Sequence, residues 1–117
     1  MRFLMMTTDS GSEFDEKMAA EMGAFIEEMS RSGALLATGG LDPHPTRITA
    51  SDGKITVTDG PFAEAKEVVV GFALIETRTK EEAIELSKRF WSIAGDGGGV
   101  IHQVFGPGDP FPGAPGA

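Results

Sequence analysis

The sequence predicts an α+β fold in which two helices cover one face of a β-sheet. Apolar residues recur at helical spacing in two segments, one ending near residue 32 and one beginning near residue 79. Short runs rich in β-branched and aromatic residues flank both segments, and an Asp-Gly turn joins two of these runs. The resulting order, β-α-β-(ββ hairpin)-β-α-β, is typical of a ferredoxin-like sheet with an inserted β-hairpin.

Length and composition indicate a single acidic domain. The 117 residues suit one domain with its own core, which we expect to span residues 1–105. The Pro/Gly-rich residues 106–117 are predicted to be a disordered tail. The net charge of −8 argues against nucleic acid or an anionic membrane as a partner, because both attract clustered Lys and Arg.

Several kinds of segment and site are absent from the sequence. No apolar run approaches the ~20 residues of a membrane span, and the N-terminus lacks the apolar core of a signal peptide. We therefore expect a cytoplasmic protein. The chain has no cysteine, which excludes disulfides, a thiol nucleophile and a sulfur-rich metal site.

The N-terminal part predicts a buried strand followed by an amphipathic helix. Residues 2–7 are strongly apolar, as in a strand inside a sheet, and a helix is predicted over residues 13–31. Ser10 or Ser12 is expected to cap the start of this helix, and Gly33 to end it. The apolar face of the helix contains Phe14, Met18, Met22, Phe25, Ile26 and Met29. We interpret this face as core rather than as an adaptable methionine-rich binding surface, because packing on a sheet requires one such stripe.

Strands and turns dominate the middle of the chain. Residues 34–38 predict a short strand, and residues 39–45 predict a loop because they include two Gly and two Pro. Residues 47–50 and 54–58 are rich in β-formers, and Asp52-Gly53 lies between them. An Asp-Gly pair in this setting predicts a tight hairpin turn.

The second half repeats the strand–helix–strand order. The most apolar run, residues 68–75, predicts a strand. Thr79–Glu82 is a capping box that opens a second helix. Residues 93–99 are predicted to be a flexible link rich in glycine, and residues 100–105 the last strand.

A polar stretch, residues 56–67, precedes the most apolar strand and is the first place to look for a site. Two interpretations of Asp59 stay open. It is a general base at a strand end, or it is a turn residue whose carboxylate accepts backbone N–H groups. Gly60 and Pro61 are compatible with either role, and Phe62 is expected to anchor the loop in the core.

Charged residues and histidines supply the other candidates. Glu64, Lys66 and Glu67 follow the turn, and Lys66 is a stabiliser of an anionic substrate or a member of a solvated ion pair. His44 lies between two prolines in a loop, which makes it the better candidate for a pocket. His102 is expected to be a structural histidine, on either the core face or the open face of the last strand. The histidine and carboxylate spacings do not match a zinc site.

The segment Asp59–Glu67, Asp-Gly-Pro-Phe-Ala-Glu-Ala-Lys-Glu, resembles the signature of the YCII-related (YciI-like) superfamily in its DGPF branch. The usual sequence there is Asp-Gly-Pro-Phe-Ala-Glu-Thr-Lys-Glu, so Ala65 removes one hydroxyl from any site at this position. The resemblance extends over about residues 2–105. Besides the motif, the segments that share it are the preceding hairpin, Gly39-Gly40-Leu41 with Pro43, Gly71-Phe72 and Glu81–Ile84. It implies a ferredoxin-like α+β fold and a homodimer related to the dimeric α/β barrels. An apolar second face of the sheet would favour the same homodimer.

The resemblance leaves two functional hypotheses. In the YciI-like branch it implies a His–Asp acid–base pair in a pocket, and one relative is a dehydrochlorinase of chlorinated hydroxyquinones. The first hypothesis is therefore a cofactor-independent enzyme that performs proton abstraction or elimination on a small anionic or aromatic molecule. Asp59 would be its base, His44 the partner of that base and Lys66 the anion stabiliser. The predicted binding residues are Glu64, Glu67, Pro61 and Phe62. The alternative is a non-catalytic module that binds a metabolite or a protein and has a regulatory role.

Overall fold

The computed structural model describes residues 1–10, 15–42, 44–60 and 69–110, and it has the α+β class predicted from the sequence. Two helices and six strands occur in these parts of the chain. In chain order they are β1 (Arg2–Ser10), α1 (Glu16–Ser32), β2 (Leu35–Gly40), β3 (Thr46–Ser51), β4 (Lys54–Asp59), β5 (Gly71–Glu76), α2 (Lys80–Ala94) and β6 (Gly97–Val104). Neither helix is long and apolar enough to cross a bilayer.

Four of the strands form one antiparallel sheet in the order β2-β5-β1-β6. Its two central strands, β1 and β5, are each followed by a helix, a connectivity consistent with a ferredoxin-like sheet. The pairing is irregular at two points. The register shifts between Thr7 and Asp9 where β1 pairs with β6, and between Leu35 and Ala37 where β2 pairs with β5.

The core lies on the face of this sheet that α2 covers. Phe3, Met5 and Ile75 are buried there against Ala83 of α2. Because side chains alternate along a strand, Leu4 points to the opposite face. The described helices leave that second face uncovered, and several of its apolar side chains are half-buried or exposed.

The helix ends differ from expectation at one point. Asp15 caps α1 by accepting a hydrogen bond from the Met18 N–H at 2.8 Å, so the prediction of Ser10 or Ser12 was wrong. Ser10 is instead the last residue of β1, which extends beyond its predicted end. The C-cap at Gly33 (φ 85°) is confirmed. Thr79 caps α2 as predicted, because its hydroxyl accepts from the Glu82 N–H at 3.1 Å. The reciprocal bond of a capping box differs, since the Glu82 carboxylate accepts the N–H of Arg78 at 3.0 Å instead of that of Thr79.

The flexible link predicted at residues 93–99 is instead the end of a helix and the start of a strand. Residues 93–94 belong to α2, Gly95 is its C-cap, and β6 already begins at Gly97 and pairs with the end of β1. Close approach of the two backbones explains Gly99. A Cβ on Gly99 would lie 2.3 Å from the carbonyl oxygen of Met6.

Strands β3 and β4 form a separate two-stranded antiparallel sheet. Asp52 and Gly53 connect them with positive φ angles of 51° and 74°, as a type I′ turn requires. Every residue of both strands is exposed. Residues 106–110, at the start of the predicted tail, include a turn in which the Asp109 carboxylate accepts the Gly106 N–H at 2.7 Å.

Candidate ligand-binding site

A cavity of about 500 Å³ lies between α1, the helix-covered face of the sheet and α2. Its walls are mainly apolar. Helix α1 contributes Met18, Met22 and Phe25, and helix α2 contributes Leu86, Phe90 and Trp91. Strands β1 and β5 form the floor with Met5 and Ala73. Methionine and aromatic side chains adapt to the shape of apolar molecules, so the lining suits such a ligand.

The cavity exists because α1 buries little of its apolar stripe. Met29, in the last turns of the helix, is buried, whereas Met18, Met22 and Phe25 are only half-buried. The stripe was interpreted from the sequence as core, and in the structure most of its described members line the cavity instead. Their spacing cannot separate these two outcomes, because a helix facing a cavity and a helix facing a filled core have the same pattern.

An ion pair joins the two helices beside the cavity. The Arg89 guanidinium donates two hydrogen bonds to the Glu28 carboxylate, at 2.8 and 3.2 Å, and lies 4.9 Å from the centre of the Phe25 ring. These hydrogen bonds lower the pKa of Glu28 and raise the pKa of Arg89. The pair links α1 to α2 at the wall to which Phe25 belongs.

One end of the cavity carries its polar groups. Thr7 and Thr38 lie there with Gly39, Gly40 and Gly71. The Thr38 hydroxyl donates to the carbonyl of the neighbouring strand at 2.9 Å. A Cβ on Gly71 would lie only 2.9 Å from Oγ1 of Thr7, so this end is narrow. It is also close in sequence to the loop at residues 39–45, where a pocket was expected.

The two proposed acid–base residues lie at the base of the β3–β4 hairpin and are exposed. Asp59 is paired with Thr46 across the strands and accepts a hydrogen bond from the Thr46 hydroxyl at 2.8 Å. His44 has a different partner: its backbone N–H donates to Asp42 at 2.8 Å, and its Nδ1 lies 3.3 Å from the same carboxylate oxygen. The hydrogen bond from the His44 backbone, followed by that from its ring, lowers the pKa of Asp42. Neither Asp59 nor His44 is among the described residues that line the cavity.

The other predicted site residues add little to this geometry. Lys66 lies outside the described residues, as do the predicted binding residues Glu64, Glu67, Pro61 and Phe62. His102 is exposed, next to an Ile101 that packs against the core, and so occupies the open face of the sheet. Within the described ranges, no three His, Asp or Glu side chains are grouped so that they could hold a metal ion.

Sequence reasoning missed two features of this site. Trp91, which lies beside Phe90 at an edge-to-face ring distance of 5.0 Å, received no weight although it is the single tryptophan of the chain. Asp42 was treated as part of a loop. An Asp two residues before a histidine, in a turn rich in Gly and Pro, is a signal that could have identified it as the partner of that histidine.

Fold and cavity together define a small α+β protein with a ligand-sized apolar space beneath its helices. The model of the YCII-related domain matches residues 1–98, so the chain belongs to the YCII-related family, as the Asp59–Glu67 motif predicted. An uncharacterised protein of Rhizobium meliloti (strain 1021) is 32% identical over 85 residues, which cover 71% of this chain and 68% of that protein.

A solved structure resembles the chain more distantly. It is the 5-chloro-2-hydroxyhydroquinone dehydrochlorinase TftG from Burkholderia phenoliruptrix AC1100, in complex with 2,5-dihydroxybenzoquinone. The match covers 94% of this chain and all of that one, at a TM-score of 0.48 and 13% sequence identity. The activity and ligand of TftG are therefore not assigned to this chain.

Proposed function

We propose that this protein binds a small apolar or aromatic molecule in the cavity between its helices and its sheet. The observation that carries the proposal is the cavity itself, about 500 Å³ in volume and lined mainly by apolar side chains. That volume is within the range of roughly 300–1,000 Å³ that is usual for small-molecule sites. The few polar groups are gathered at one end, an arrangement that orients a ligand.

The lining favours an aromatic ligand over an anionic one. The described lining residues include no Lys, Arg or His, so no cation among them faces the cavity. Thr7 and Thr38 supply hydroxyl groups at the narrow end. The ligand class that fits is therefore a neutral ring system with one hydroxyl or carbonyl group directed at the threonines.

Trp91 allows binding to be measured directly. It lines the cavity, and the chain has no second tryptophan and no tyrosine, so its fluorescence reports on this site alone. We expect a panel of neutral phenols and naphthols to change the Trp91 emission in a saturable manner. If no member of the panel changes the emission, and native mass spectrometry of the purified protein detects no bound molecule, the proposal is wrong.

A pair of adjacent substitutions on α1 supplies the control. Met22→Gln places an amide of similar size in the apolar wall, at a desolvation cost of about 1–3 kcal/mol, so binding should weaken about five-fold or more. Glu21→Gln introduces the same side chain one residue earlier, at an exposed position outside the lining, and should leave the affinity unchanged. Equal affinities for the two variants would contradict binding in this cavity.

The second candidate function is the cofactor-independent enzyme, with Asp59 as base, His44 as its partner and Lys66 as anion stabiliser. The contact between Asp42 and His44 supports it, because a carboxylate beside an imidazole orients the ring. Each molecule that binds should be incubated with the protein and analysed for product by mass spectrometry. Asp59→Asn should abolish any turnover with little change in melting temperature. Full turnover by this variant would show that Asp59 has a structural role and is not the base.

We also propose that the protein is a homodimer formed through the open face of the four-stranded sheet, as DGPF-type members of the family are expected to be. Leu74 is central to this face and only half-buried, and Val100 and Val104 on it are exposed. Sedimentation velocity should give the mass of a dimer, and Leu74→Gln should reduce it to that of a monomer. A monomeric wild-type protein at all concentrations would contradict the proposal. A cytoplasmic location, with no cofactor and with neither membrane nor nucleic acid as a partner, stays a prediction.

A further inference from the structure

The β3–β4 hairpin has one apolar and one polar face. The cross-strand pairs Ile48–Val57 and Ala50–Ile55 share a face, because side chains of directly paired residues point the same way. The large side chains of this face are the most exposed hydrophobic residues described: Ile48 (68%), Ile55 (70%) and Val57 (64%). The opposite face is polar and consists of Arg47, Thr49, Ser51, Lys54, Thr56 and Thr58.

The hairpin is firmly connected but uncovered. The hydrogen bond from the Thr46 hydroxyl to Asp59 closes its base, and the Gly60 N–H donates to the Pro45 carbonyl at 2.7 Å. Along the whole length of both strands no residue is buried. An isolated two-stranded sheet is only marginally stable in water. No described residue of the chain covers its apolar face, so this face is open to a partner surface.

We propose that this hairpin is an arm that packs its apolar face against a second copy of the chain; the proposal rests on the homodimer proposed above. The first support is area. A fully exposed aliphatic side chain presents on the order of 100 Å² of apolar surface, so the three hairpin residues together supply about 200 Å². On the open face of the four-stranded sheet, exposed Val100 and Val104 and half-buried Leu4, Met6 and Leu74 add on the order of 150–200 Å².

Neither surface alone approaches the area of a standard dimer interface, whereas the two together come close to it. Interfaces are about 57% apolar, so about 400 Å² of apolar surface corresponds to roughly 700 Å² for each partner. A standard interface buries about 800 Å² on each partner. The open sheet face alone would provide about half of that area, and the arm supplies the remainder.

Charge and length favour a second copy as the occupant. The chain has a net charge of −8, so two copies repel one another unless they meet through surfaces without excess acidic charge. The hairpin as a whole has no net charge, because Arg47 and Lys54 equal Asp52 and Asp59 in number, although both cations lie on its polar face. Six-residue strands extend about 20 Å, which equals the width of a four-stranded sheet, about 19 Å. One arm can therefore reach across the sheet of the partner.

The test compares substitutions on the two faces of the hairpin. The apolar-face variant keeps β-branched side chains but makes them polar: Ile48→Thr, Ile55→Thr and Val57→Thr. The control variant removes three methyl groups from the polar face: Thr49→Ser, Thr56→Ser and Thr58→Ser. Sedimentation velocity should show a dimer dissociation constant raised at least about tenfold in the first variant, and unchanged in the control. Trp91 fluorescence should show the same unfolding of the body in both.

Each outcome bears on a different proposal. A dimeric wild type whose dissociation constant is the same in the apolar-face variant would overturn the arm and leave the sheet-face dimer intact. A wild type that is monomeric throughout would overturn both. If the variant does not fold, a mixed dimer of labelled and unlabelled wild-type chains decides the matter. Methyl groups of Ile48 and Ile55 should then show magnetisation transfer to the partner, and its absence would overturn the arm.

Discussion

Gly99→Ala is the substitution for which the structure predicts the largest effect from the smallest chemical change. The added Cβ would lie 2.3 Å from the carbonyl oxygen of Met6 and 3.3 Å from Cα of Thr7. Both contacts are with backbone atoms of the central strand β1, which cannot rotate away as a side chain would. The edge strand β6 must therefore move outward by about 1 Å to restore an ordinary contact.

The expected cost combines two terms. Overpacking of this kind costs about 1–3 kcal/mol, and each weakened backbone hydrogen bond between β6 and β1 adds up to ~1 kcal/mol. We therefore expect a loss of about 2–3 kcal/mol in the free energy of unfolding. For a domain of this size the melting temperature should fall by roughly 8–12 °C.

The neighbouring glycine provides a matched control. A Cβ on Gly98 would meet no atom within 4 Å, so Gly98→Ala should leave the melting temperature unchanged or raise it slightly, since alanine restricts the unfolded chain. Thermal unfolding followed by circular dichroism measures both variants under the same conditions. Equal melting temperatures for the two variants would refute the close approach of β6 to β1.

Three further predictions concern individual side-chain interactions. Asp15→Ala should cost about 1 kcal/mol of stability by removing the N-cap of α1, whereas Asp15→Asn should be nearly neutral in urea unfolding. Because Arg89 lowers the pKa of Glu28 in the folded state, this pair stabilises the protein above the ordinary glutamate pKa, and its contribution is lost as the pH falls through the lowered value. Glu28→Gln should therefore flatten the fall in melting temperature over that pH range. An unchanged pH profile of the melting temperature would count against the pair. Thr46→Val should speed amide hydrogen exchange in β3 and β4 about two- to five-fold, because it removes the hydroxyl that donates a hydrogen bond to Asp59, whereas Thr46→Ser should not. Equal exchange rates in the two variants would show that this bond contributes nothing.

Much of the fold was predictable because local chemistry fixes it. Gly33 ends α1, Thr79 caps α2 and Asp52-Gly53 turns the hairpin, in each case by interactions within a few residues. The strand at Gly97–Gly99 was not predictable in this way. Three glycines in sequence are typical of a flexible link, and only pairing with β1, some ninety residues earlier, makes them part of a sheet.

The candidate site was less predictable than the fold. The motif at Asp59 identified the family, but the cavity is formed by the apolar face of α1, for which core packing was the expected role. Whether an apolar stripe fills its space or leaves it open depends on the distance between helix and sheet. That distance depends on tertiary contacts between distant parts of the chain. The Glu28–Arg89 pair, for example, links α1 to α2 between residues 61 positions apart and leaves no pattern in either helix alone.

The register shift in β2 bears on how copies of the chain can meet. An unprotected sheet edge invites strand-to-strand growth into filaments, and a bulge disrupts the row of hydrogen-bonding groups that such growth requires. Between Leu35 and Ala37 the irregularity interrupts the outer edge formed by β2, and Leu36 is half exposed there. Association by lateral addition of strands at this edge is thereby discouraged.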